Sequence, residues 1–565
     1  MHSSITIVGA SLAGVRAAEA LRSEGFKGNI KLLGDEAHIA YDRPPLSKSF
    51  LEGEMTSEKL SLLTSEKINE LEIEVRTDSK ASNLDIESRT LEVNGEVEEF
   101  DALIIATGAR ARKLPNTEKI NGVHTLRSLD DSIKIRKSFK SGNPKVVVVG
   151  GGFIGCEVAA TASNLGIEVT IVESQDVPLS HVLGEEAGKV ISELHTNNGV
   201  RLKCGVEVQE IKGDSQVEGV LLEDGTLLEA DLVIVGIGAV PNTEWLENSG
   251  LTIENGVCCD QTCLAAPNIV AAGDVARWDH QGYGKSIRLE HWDNAAEQGK
   301  HAALRLLQTE AEALPYAPIP WFWSDQFDRK IQLAGISSPE DDFEVVVDSP
   351  DEGRFTGIYG SEGKLRAVLG INRPRHVMQF KSLMENKASW KEALDFAKES
   401  DSDSVIRSLK IIVTLMLLSN CTSSSNNLEF KIVEQAIPEV LLPSYPHLVT
   451  EVNCPEYVNK DLDTIFCTLQ VAGKEISVSV TGPDVTNSFN LDPRIKIIES
   501  VQLAQKVKKR LDDDLGIENK IECTPEIRVA HPGELFDCEI IDPNGRVHHL
   551  QIKIIDLHGS FEIIS

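Results

Sequence analysis

Two glycine-rich turns constrain the fold of this chain more than any other feature of its sequence. The first turn is Gly9-Ala-Ser-Leu-Ala-Gly14, which follows the apolar run Ile5-Thr-Ile-Val8 and precedes a segment with helical periodicity at 15–22. A strand, a tight turn and a helix in this order place backbone N–H groups where a pyrophosphate can bind at the helix N-terminus. Ser11 stands in the usual place of the second glycine, so this turn alone is also consistent with a plain strand-to-helix connection.

The second turn repeats the pattern with all three glycines present. Lys145-Val-Val-Val-Val-Gly-Gly-Gly-Phe-Ile-Gly155 is followed by a predicted helix, Cys156–Leu165, and a predicted strand, Glu168–Val172. Glu173 ends that strand, and an acidic residue there can accept a hydrogen bond from a free ribose 2′-hydroxyl, which favours NAD over NADP. In the first unit, Asp35 and Glu36 occupy the same place after the strand Ile30–Leu33. The repetition predicts two dinucleotide-binding folds in one chain.

Length and composition are consistent with a multidomain globular protein. A chain of 565 residues has room for roughly three to five domains. The hydrophobic fraction of 41% and the charged fraction of 25% exclude wholesale disorder and a membrane protein with several spans. The net charge of −32 disfavours nucleic acid or an anionic membrane as a general partner.

Further glycine-rich segments follow predicted strands. They are Ala102-Leu-Ile-Ile-Ala-Thr-Gly108, Ala230-Asp-Leu-Val-Ile-Val-Gly-Ile-Gly238 and Asn268-Ile-Val-Ala-Ala-Gly-Asp274. The order of all five segments resembles the flavoprotein reductases that contain two dinucleotide domains. Tyr41-Asp-Arg-Pro-Pro-Leu-Ser-Lys48 and Pro320-Trp-Phe-Trp-Ser-Asp-Gln326 narrow the resemblance to the NADH-dependent ferredoxin, putidaredoxin and rubredoxin reductases of bacterial oxygenase systems, over residues 4 to about 400.

The resemblance implies an α/β fold with two Rossmann-like dinucleotide-binding domains and an α+β C-terminal reductase domain, followed here by a tandem small α+β tail. The third domain has predicted strands at Lys330–Leu333, Phe343–Val347, Phe355–Tyr359 and Leu365–Gly370. The expected domains are a discontinuous FAD-binding domain (1–112 and 245–317), an NAD-binding domain (113–244), a C-terminal reductase domain (318–400), a linker (401–427) and two small cysteine-paired repeats (428–490 and 491–565).

The resemblance also implies residue roles for an FAD site in the first fold. Lys48 is expected beside the reactive flavin edge, where a cation stabilises the reduced, anionic flavin. The expected FAD-binding residues are Gly9, Ser11, Leu12, Ala13, Gly14, Asp35, Glu36, Arg43, Lys48, Arg127, Asp274, Glu290, His291, Trp292 and Trp323. Plain alternatives remain open: Lys48 as a surface charge, Trp292 and Trp323 as core aromatic residues, and His291 as a structural histidine.

NADH is expected in the second fold, with Glu157 as a catalytic acidic residue near the nicotinamide together with Lys48. The expected NAD-binding residues are Gly150, Gly152, Phe153, Ile154, Gly155, Glu173 and Gly238. An alternative for Glu157 is a helix-start acid that interacts with the helix dipole. No cysteine occurs in residues 35–60, so a redox-active disulfide beside the flavin is not expected. Cys258, Cys259 and Cys263 lack a metal-ligand spacing and are expected to be buried thiols, and no metal is predicted.

The predicted function is electron transfer from NADH through flavin to a ferredoxin or similar small carrier. A reductase of a small-molecule acceptor is the alternative, and a homodimer is left open. Because ferredoxins are usually acidic, docking on an acidic chain requires a local basic patch. The candidates for this patch are Lys285, Arg288, Arg329, Lys330, Arg373, Arg375 and Lys381.

The last 161 residues lie beyond the resemblance. The apolar segment Ile411–Leu418 precedes Leu418-Ser-Asn-Cys421, which resembles a lipoprotein cleavage box, although a buried helix is equally consistent with the segment. It is too short for a transmembrane span. The pairs Cys454/Cys467 and Cys523/Cys538 fall in two similar segments and are predicted disulfides, which need an oxidising compartment.

The two parts of the chain therefore predict different compartments. The reductase part is expected in the cytoplasm, where NADH is available, and it shows no N-terminal secretory signal. The tail is expected outside the cytoplasm, with a lipid anchor at Cys421, only if it is produced or processed separately. We interpret the chain as a fusion whose tail is a lipoprotein-like binding module.

Overall fold

The computed structural model divides the chain into two compact units, residues 1–402 and 403–565. In the first unit, residues 2–350 and 353–398 are described. In the second, the described residues are 437–438, 441, 448–454, 464–481, 490–493, 497–500, 503–504, 507, 520–524, 527–529, 534–541, 546–554 and 561–563. Eight α-helices of the first unit have defined bounds: α1 Leu12–Ser23, α2 Ser49–Glu52, α3 Ser65–Leu71, α4 Leu129–Phe139, α5 Phe153–Asn164, α6 Ser180–Asn197, α7 Trp292–Leu307 and α8 Pro374–Glu385.

The first domain contains a six-stranded sheet that is parallel except at one edge. Its order is Leu264–Ala266, Ile269–Ala271, Ala102–Ile105, Ser4–Val8, Asn29–Leu33 and Glu74–Arg76. The central strands are apolar along their length because they are buried on both faces. This parallel order places the glycine turn after Val8 at the carboxyl edge of the sheet, where α1 begins.

The second domain repeats this plan with a five-stranded parallel sheet. Its order is Arg201–Cys204, Val169–Glu173, Val146–Val149, Leu232–Val235 and Val123–Thr125. The predicted helix at 156–165 is confirmed but begins earlier, at Phe153. The repeated sheet-and-helix plan confirms the α/β fold class with two dinucleotide folds.

The third domain is a five-stranded antiparallel sheet covered by α8. Its order is Trp321–Gln326, Arg329–Gly335, Lys364–Ile371, Arg354–Ser361 and Asp342–Ser349. Four of these strands contain the four predicted ones. The fifth, Trp321–Gln326, was not predicted as a strand, and it is the one that reaches the site described below.

Smaller sheets and short 3₁₀ turns complete the first unit. The sheets are Ala81–Asp85 with Thr90–Val93 and Glu96–Glu99, Val208–Lys212 with Gly219–Leu222 and Leu227–Glu229, Ala109–Ala111 with Ala239–Pro241, and Val257–Cys259 with Ala276–His280 and Lys285–Ile287. The 3₁₀ turns are Pro44–Ser47, Ser57–Leu60, Glu244–Leu246 and Gly273–Val275.

The tail contains two antiparallel sheets of four strands each. The first is Val449–Asn453, Thr464–Val471, Lys474–Thr481 and Asn490–Pro493; the second is Lys520–Thr524, Leu535–Ile541, Val547–Ile554 and Phe561–Ile563. Two further strands, Ile497–Glu499 and Ile527–Val529, pair with each other. Each four-stranded sheet carries one of the two predicted disulfides, Cys454–Cys467 and Cys523–Cys538.

Several expectations for the tail lie outside the described residues. They concern the apolar segment 411–418, the lipid anchor at Cys421 and much of the two predicted repeats. Within the described part of the chain, no helix has the length and apolar character needed to cross a membrane. The same residues contain no cluster of three or more metal-ligating side chains.

Candidate active site

The two glycine turns bring each helix so close to its strand that no side chain fits at the last glycine of either motif. A Cβ atom on Gly14 would lie 2.0 Å from the carbonyl oxygen of Gly9, and one on Gly155 would lie 2.0 Å from the carbonyl oxygen of Gly150. These contacts are far inside van der Waals distance and involve rigid backbone. Both motifs therefore position a helix N-terminus directly at the carboxyl edge of its sheet.

Both helix N-termini lack a side-chain cap, and the N-terminus of α5 also has open space before it. Neither Ser11 nor Gly152, the residues before α1 and α5, caps its helix with a side-chain hydrogen bond. A Cβ atom on Gly152 would have no neighbour closer than 3.9 Å, which leaves open space in front of α5. An uncapped helix N-terminus with space before it suits the pyrophosphate of a dinucleotide. The turn residues Gly9, Leu12, Ala13 and Gly150 lie in these same two cradles.

The acidic residues after the second strand of the first domain have different environments. Asp35 is exposed, whereas Glu36 is partly buried and accepts a hydrogen bond of 2.6 Å from Arg43 Nη2 and one from the Tyr41 hydroxyl. Burial opposes ionisation, but the Arg43 guanidinium and these hydrogen bonds together lower the pKa of Glu36. Glu36 and Arg43 thus form one charged unit, and ribose contact by Asp35 or Glu36 stays a prediction.

Arg43 also connects this unit to the next predicted FAD residues. Its Nη1 donates to the carbonyl oxygen of Arg127 over 2.8 Å, and its Nε approaches Ser11 Oγ at 3.4 Å. Arg127 Nη2 in turn donates to Asp274 Oδ2 over 2.6 Å, and Asp274 is 8% exposed. Five of the predicted FAD residues (Ser11, Glu36, Arg43, Arg127 and Asp274) therefore form one continuous network.

In the second domain, the Glu173 side chain forms a hydrogen bond with the backbone of the glycine turn. Its Oε2 accepts from the backbone N–H of Gly151 over 2.6 Å, and its Oε1 accepts from the backbone N–H of Gln175 over 2.9 Å. Ile154 is 46% exposed at the first turn of α5, and Gly238 is exposed on the turn after the adjacent strand. This placement is compatible with the predicted NAD site, whose residue contacts stay a prediction.

Aromatic side chains from all three domains meet beside these turns. Phe322 of the third domain lies between Phe153 of α5 and His291, with both ring centroids 4.7 Å away. Trp323 is 6.1 Å from Trp292, whose Nε1 donates to Asp42 Oδ1 over 2.7 Å. The predicted residues Phe153, His291, Trp292 and Trp323 are therefore close neighbours.

His291 and Glu290 differ in their hydrogen bonding. His291 Nδ1 is buried without a hydrogen-bond partner among the described residues, and burial lowers the pKa of the ring to about 4. Glu290 is exposed and accepts from Arg288 Nη2 over 2.8 Å. A neutral histidine with an unused nitrogen fits a bound group that supplies a hydrogen-bond donor or acceptor, according to the tautomer of the ring.

The two predicted catalytic residues, Lys48 and Glu157, form an ion pair in which Glu157 is buried and Lys48 is partly exposed. Lys48 Nζ lies 2.8 Å from Glu157 Oε2, and Glu157 is 3% exposed. Ser47 Oγ donates to the same carboxylate oxygen over 2.5 Å, and Ser324 Oγ donates to Oε1 over 2.6 Å. Glu157 is therefore neither a solvated helix-start acid nor isolated, and Lys48 is not a free surface charge.

The sequence analysis missed four polar residues of this centre: Ser47, Ser324, Gln326 and His195. Ser324 and Gln326 alternate with Trp323 in a strand, so period-2 spacing would have placed them on the face opposite Trp323. His195 lies on α6 and had no local signal. The buried thiols were predicted correctly for Cys259 and Cys263, whereas Cys258 is partly exposed.

Comparison with known families and proteins agrees with this architecture. Residues 3–299 match the pyridine nucleotide-disulphide oxidoreductase family, and residues 321–405 match a reductase C-terminal family. Rhodocoxin reductase of Rhodococcus erythropolis is 36% identical over 386 residues, covering 67% of this chain and 89% of the relative. Putidaredoxin reductase of Pseudomonas putida is 36% identical over 396 residues, covering 68% and 92%.

Solved structures give the same result. The reductase in a covalent putidaredoxin reductase–putidaredoxin complex superposes with a TM-score of 0.65 at 34% identity, covering 68% of this chain and 93% of that chain. A ferredoxin reductase for the CYP199A2 system of Rhodopseudomonas palustris gives a TM-score of 0.66 at 34% identity, covering 70% and 99%. All four matches leave about a third of the present chain uncovered.

Proposed function

The chain belongs to the pyridine nucleotide-disulphide oxidoreductase family, and from this membership we propose that it transfers electrons from NADH through FAD to a ferredoxin-type iron–sulfur protein. The observation that carries the proposal is the ion pair between the partly exposed Lys48 and the buried Glu157, because it joins the segment after the first dinucleotide fold to the glycine-turn helix of the second. One charged pair thus lies where the two expected cofactors would have to meet.

The residues of the chain have separate tasks in this reaction. Bound FAD supplies the redox chemistry, since it can take two electrons from NADH as a hydride and release them singly. The uncapped starts of α1 and α5 hold the two pyrophosphates, and Glu173 selects the ribose. Lys48 places a cation at the flavin edge, while Phe153, Phe322 and His291 exclude water between the domains.

No protein disulfide is needed for this transfer. Within the described residues of the first unit, all five cysteines are free thiols. Burial raises the pKa of Cys156 and that of Cys263, the latter to about 12, so neither is a ready nucleophile. Electrons therefore leave the flavin directly for the partner.

The test is purification of the full chain followed by cofactor and turnover measurements. We expect bound FAD in the absorption spectrum, a lower KM for NADH than for NADPH, and cytochrome c reduction that depends on added ferredoxin. A ferredoxin-independent turnover of quinones or peroxides at equal rates would instead favour the small-molecule reductase. Light scattering of the same sample tests the homodimer.

We propose that the tail is an extracytoplasmic module. We further propose that the fusion of two neighbouring coding regions joined it to a cytoplasmic reductase. The two disulfides support the oxidising compartment, because such bonds rarely persist in the cytosol. A start codon at Val405 and a separate tail product that begins at a lipid-modified Cys421 would support it. One intact polypeptide without lipid, together with free thiols at these four cysteines, would contradict it.

A further inference from the structure

A buried chain of hydrogen bonds extends from the Lys48–Glu157 pair through the third domain to helix α6. Ser324 Oγ lies 2.6 Å from Glu157 Oε1, Gln326 Nε2 lies 3.1 Å from Ser324 Oγ, and His195 Nε2 lies 3.0 Å from Gln326 Oε1. Ser324, Gln326 and His195 are each 0% exposed. Because bulk solvent does not reach these three side chains, the loss of one hydrogen bond would leave a buried polar group unpaired, so each link matters.

The direction of every hydrogen bond in this chain follows from its first link. A carboxylate that is paired with Lys48 can only accept, so Ser324 must donate its single hydroxyl proton to Glu157. Ser324 Oγ can then only accept from Gln326, which must present its N–H₂ group to the serine and its oxygen to His195. His195 therefore carries its proton on Nε2, and its buried Nδ1 has no partner among the described residues.

All donors thus point toward Glu157. Among the described residues, Ser324 is the only hydrogen-bond donor to Oε1, whereas Oε2 accepts from Ser47 and forms the ion pair with Lys48. Removing the Ser324 hydroxyl would leave one carboxylate oxygen buried and unpaired, which disfavours the charged form and its present orientation. Ser324 therefore controls whether Lys48 keeps a fixed counter-charge.

We propose that Ser324, supported by Gln326 and His195, is a positioning residue that keeps the Glu157 carboxylate fixed on Lys48 and thereby sets the net charge beside the bound flavin. This inference rests on the proposed function. It gives the third domain a part in tuning the cofactor, because two of the three residues lie on its first strand.

The test compares the flavin midpoint potential of Ser324→Ala with that of a matched control in the full, FAD-containing chain. When Glu157 is no longer held, the Lys48 charge is uncompensated and stabilises the reduced flavin. The midpoint potential should become more positive, which corresponds to a rise of about tenfold in the equilibrium constant for flavin reduction. A change of this size is typical for the loss of a hydrogen bond to a charged group. Gln326→Met should shift it in the same direction by less.

Thr356→Val is the control, because Thr356 lies in the same sheet, is 0% exposed, and has a hydroxyl without a partner among the described residues. We expect it to leave the potential unchanged. A double variant adds a second check: in a Glu157→Gln background, Ser324→Ala should have no further effect on the potential, since no charge remains to be held.

Equal potentials for Ser324→Ala and Thr356→Val would overturn the inference, as would an undiminished shift in the Glu157→Gln background. If Ser324→Ala does not fold, Gln326→Met and its double variant with Glu157→Gln decide the question by the same criteria. A wild-type chain that neither contains FAD nor oxidises NADH would refute the proposed function instead, and this is measured before any variant.

Discussion

At the scale of single residues, buried polar groups define the site more sharply than the glycine motifs do. The family resemblance implied a role for Glu157, but its partners come from two distant segments: Ser47 and Lys48 lie in one, and Ser324 lies in the other. A buried carboxylate is tolerated only when it is paired and hydrogen-bonded. The complete satisfaction of Glu157 therefore indicates a structure arranged around its charge.

His195 gives a residue-scale prediction about acid stability. Burial lowers the pKa of His195 from 6.5 to about 4 in the folded chain. Between these values the unfolded chain binds a proton that the folded chain excludes, so the free energy of unfolding falls as the pH decreases from about 6.5 to about 4. Across this pH range, His195 lowers the free energy of unfolding by about 3 kcal/mol in total.

Replacing His195 with Asn should remove this contribution. We expect urea unfolding curves between pH 4 and pH 7 to show a pH slope reduced by about 1.4 kcal/mol per pH unit, the value for one proton. His181→Asn, at an exposed position on the same helix, is the matched control. If both variants retain the wild-type slope, His195 does not titrate in this window.

At the scale of elements, two glycines of the second strand–turn–helix unit differ in the space around them. Gly155 contacts the carbonyl of Gly150, so its lack of a side chain is a packing requirement of α5. Gly152 has open space before it, so its small size matters only for what binds there. The same turn therefore contains one glycine for folding and one for ligand approach.

This difference predicts opposite phenotypes for two alanine variants. Gly155→Ala should lower the free energy of unfolding by about 2–3 kcal/mol, because the new methyl group displaces α5 from its strand. Gly152→Ala should change stability by less than about 0.5 kcal/mol but raise the KM for NADH several-fold, since the methyl group stands in front of the helix N-terminus. Thermal melting measures the loss of stability, and ferricyanide assays measure the KM for NADH. If both variants had the same effects, the separate roles of Gly152 and Gly155 would be contradicted.

At the scale of the whole molecule, the net charge of −32 raises the question of how an acidic partner is held. Five of the seven candidate basic residues already have acidic partners: Arg288 with Glu290, Arg329 with Asp328, Lys330 with Asp325, Arg373 with Asp348 and Lys381 with Glu385. Lys285 and Arg375 are exposed and form no ion pair among the described residues. These two cations are the best remaining candidates for contact with an acidic ferredoxin.

Arg375→Glu should therefore slow ferredoxin-dependent cytochrome c reduction several-fold at low ionic strength and spare ferricyanide reduction. Added salt should reduce the difference, because exposed charges are screened. Lys189→Glu, on α6 of the second domain, removes an exposed cation paired with Glu185 and is the control for net charge. Equal slowing by both variants would exclude a local role of Arg375.

The sequence by itself determined the α/β class, the two dinucleotide folds and the family, and it predicted which cysteines of the tail pair with each other. These features depend on local patterns: apolar runs before glycine turns, acidic residues at strand ends, and paired cysteines. The predicted helix and strand bounds differ from the observed ones by a few residues, for example at Phe153, because the ends of elements are set by neighbouring contacts.

Only the tertiary structure decided which side chains complete the site. Ser324 lies 167 positions from Glu157 in sequence, and Gln326 lies 131 positions from His195, so no local pattern could join them. The strand that carries Ser324 and Gln326 was not predicted, and Trp323 was the one residue of that segment with an expected role. The basic patch stays a prediction, because charge is visible in a sequence but the acidic partners of these residues, such as Asp348 for Arg373, are set by folding.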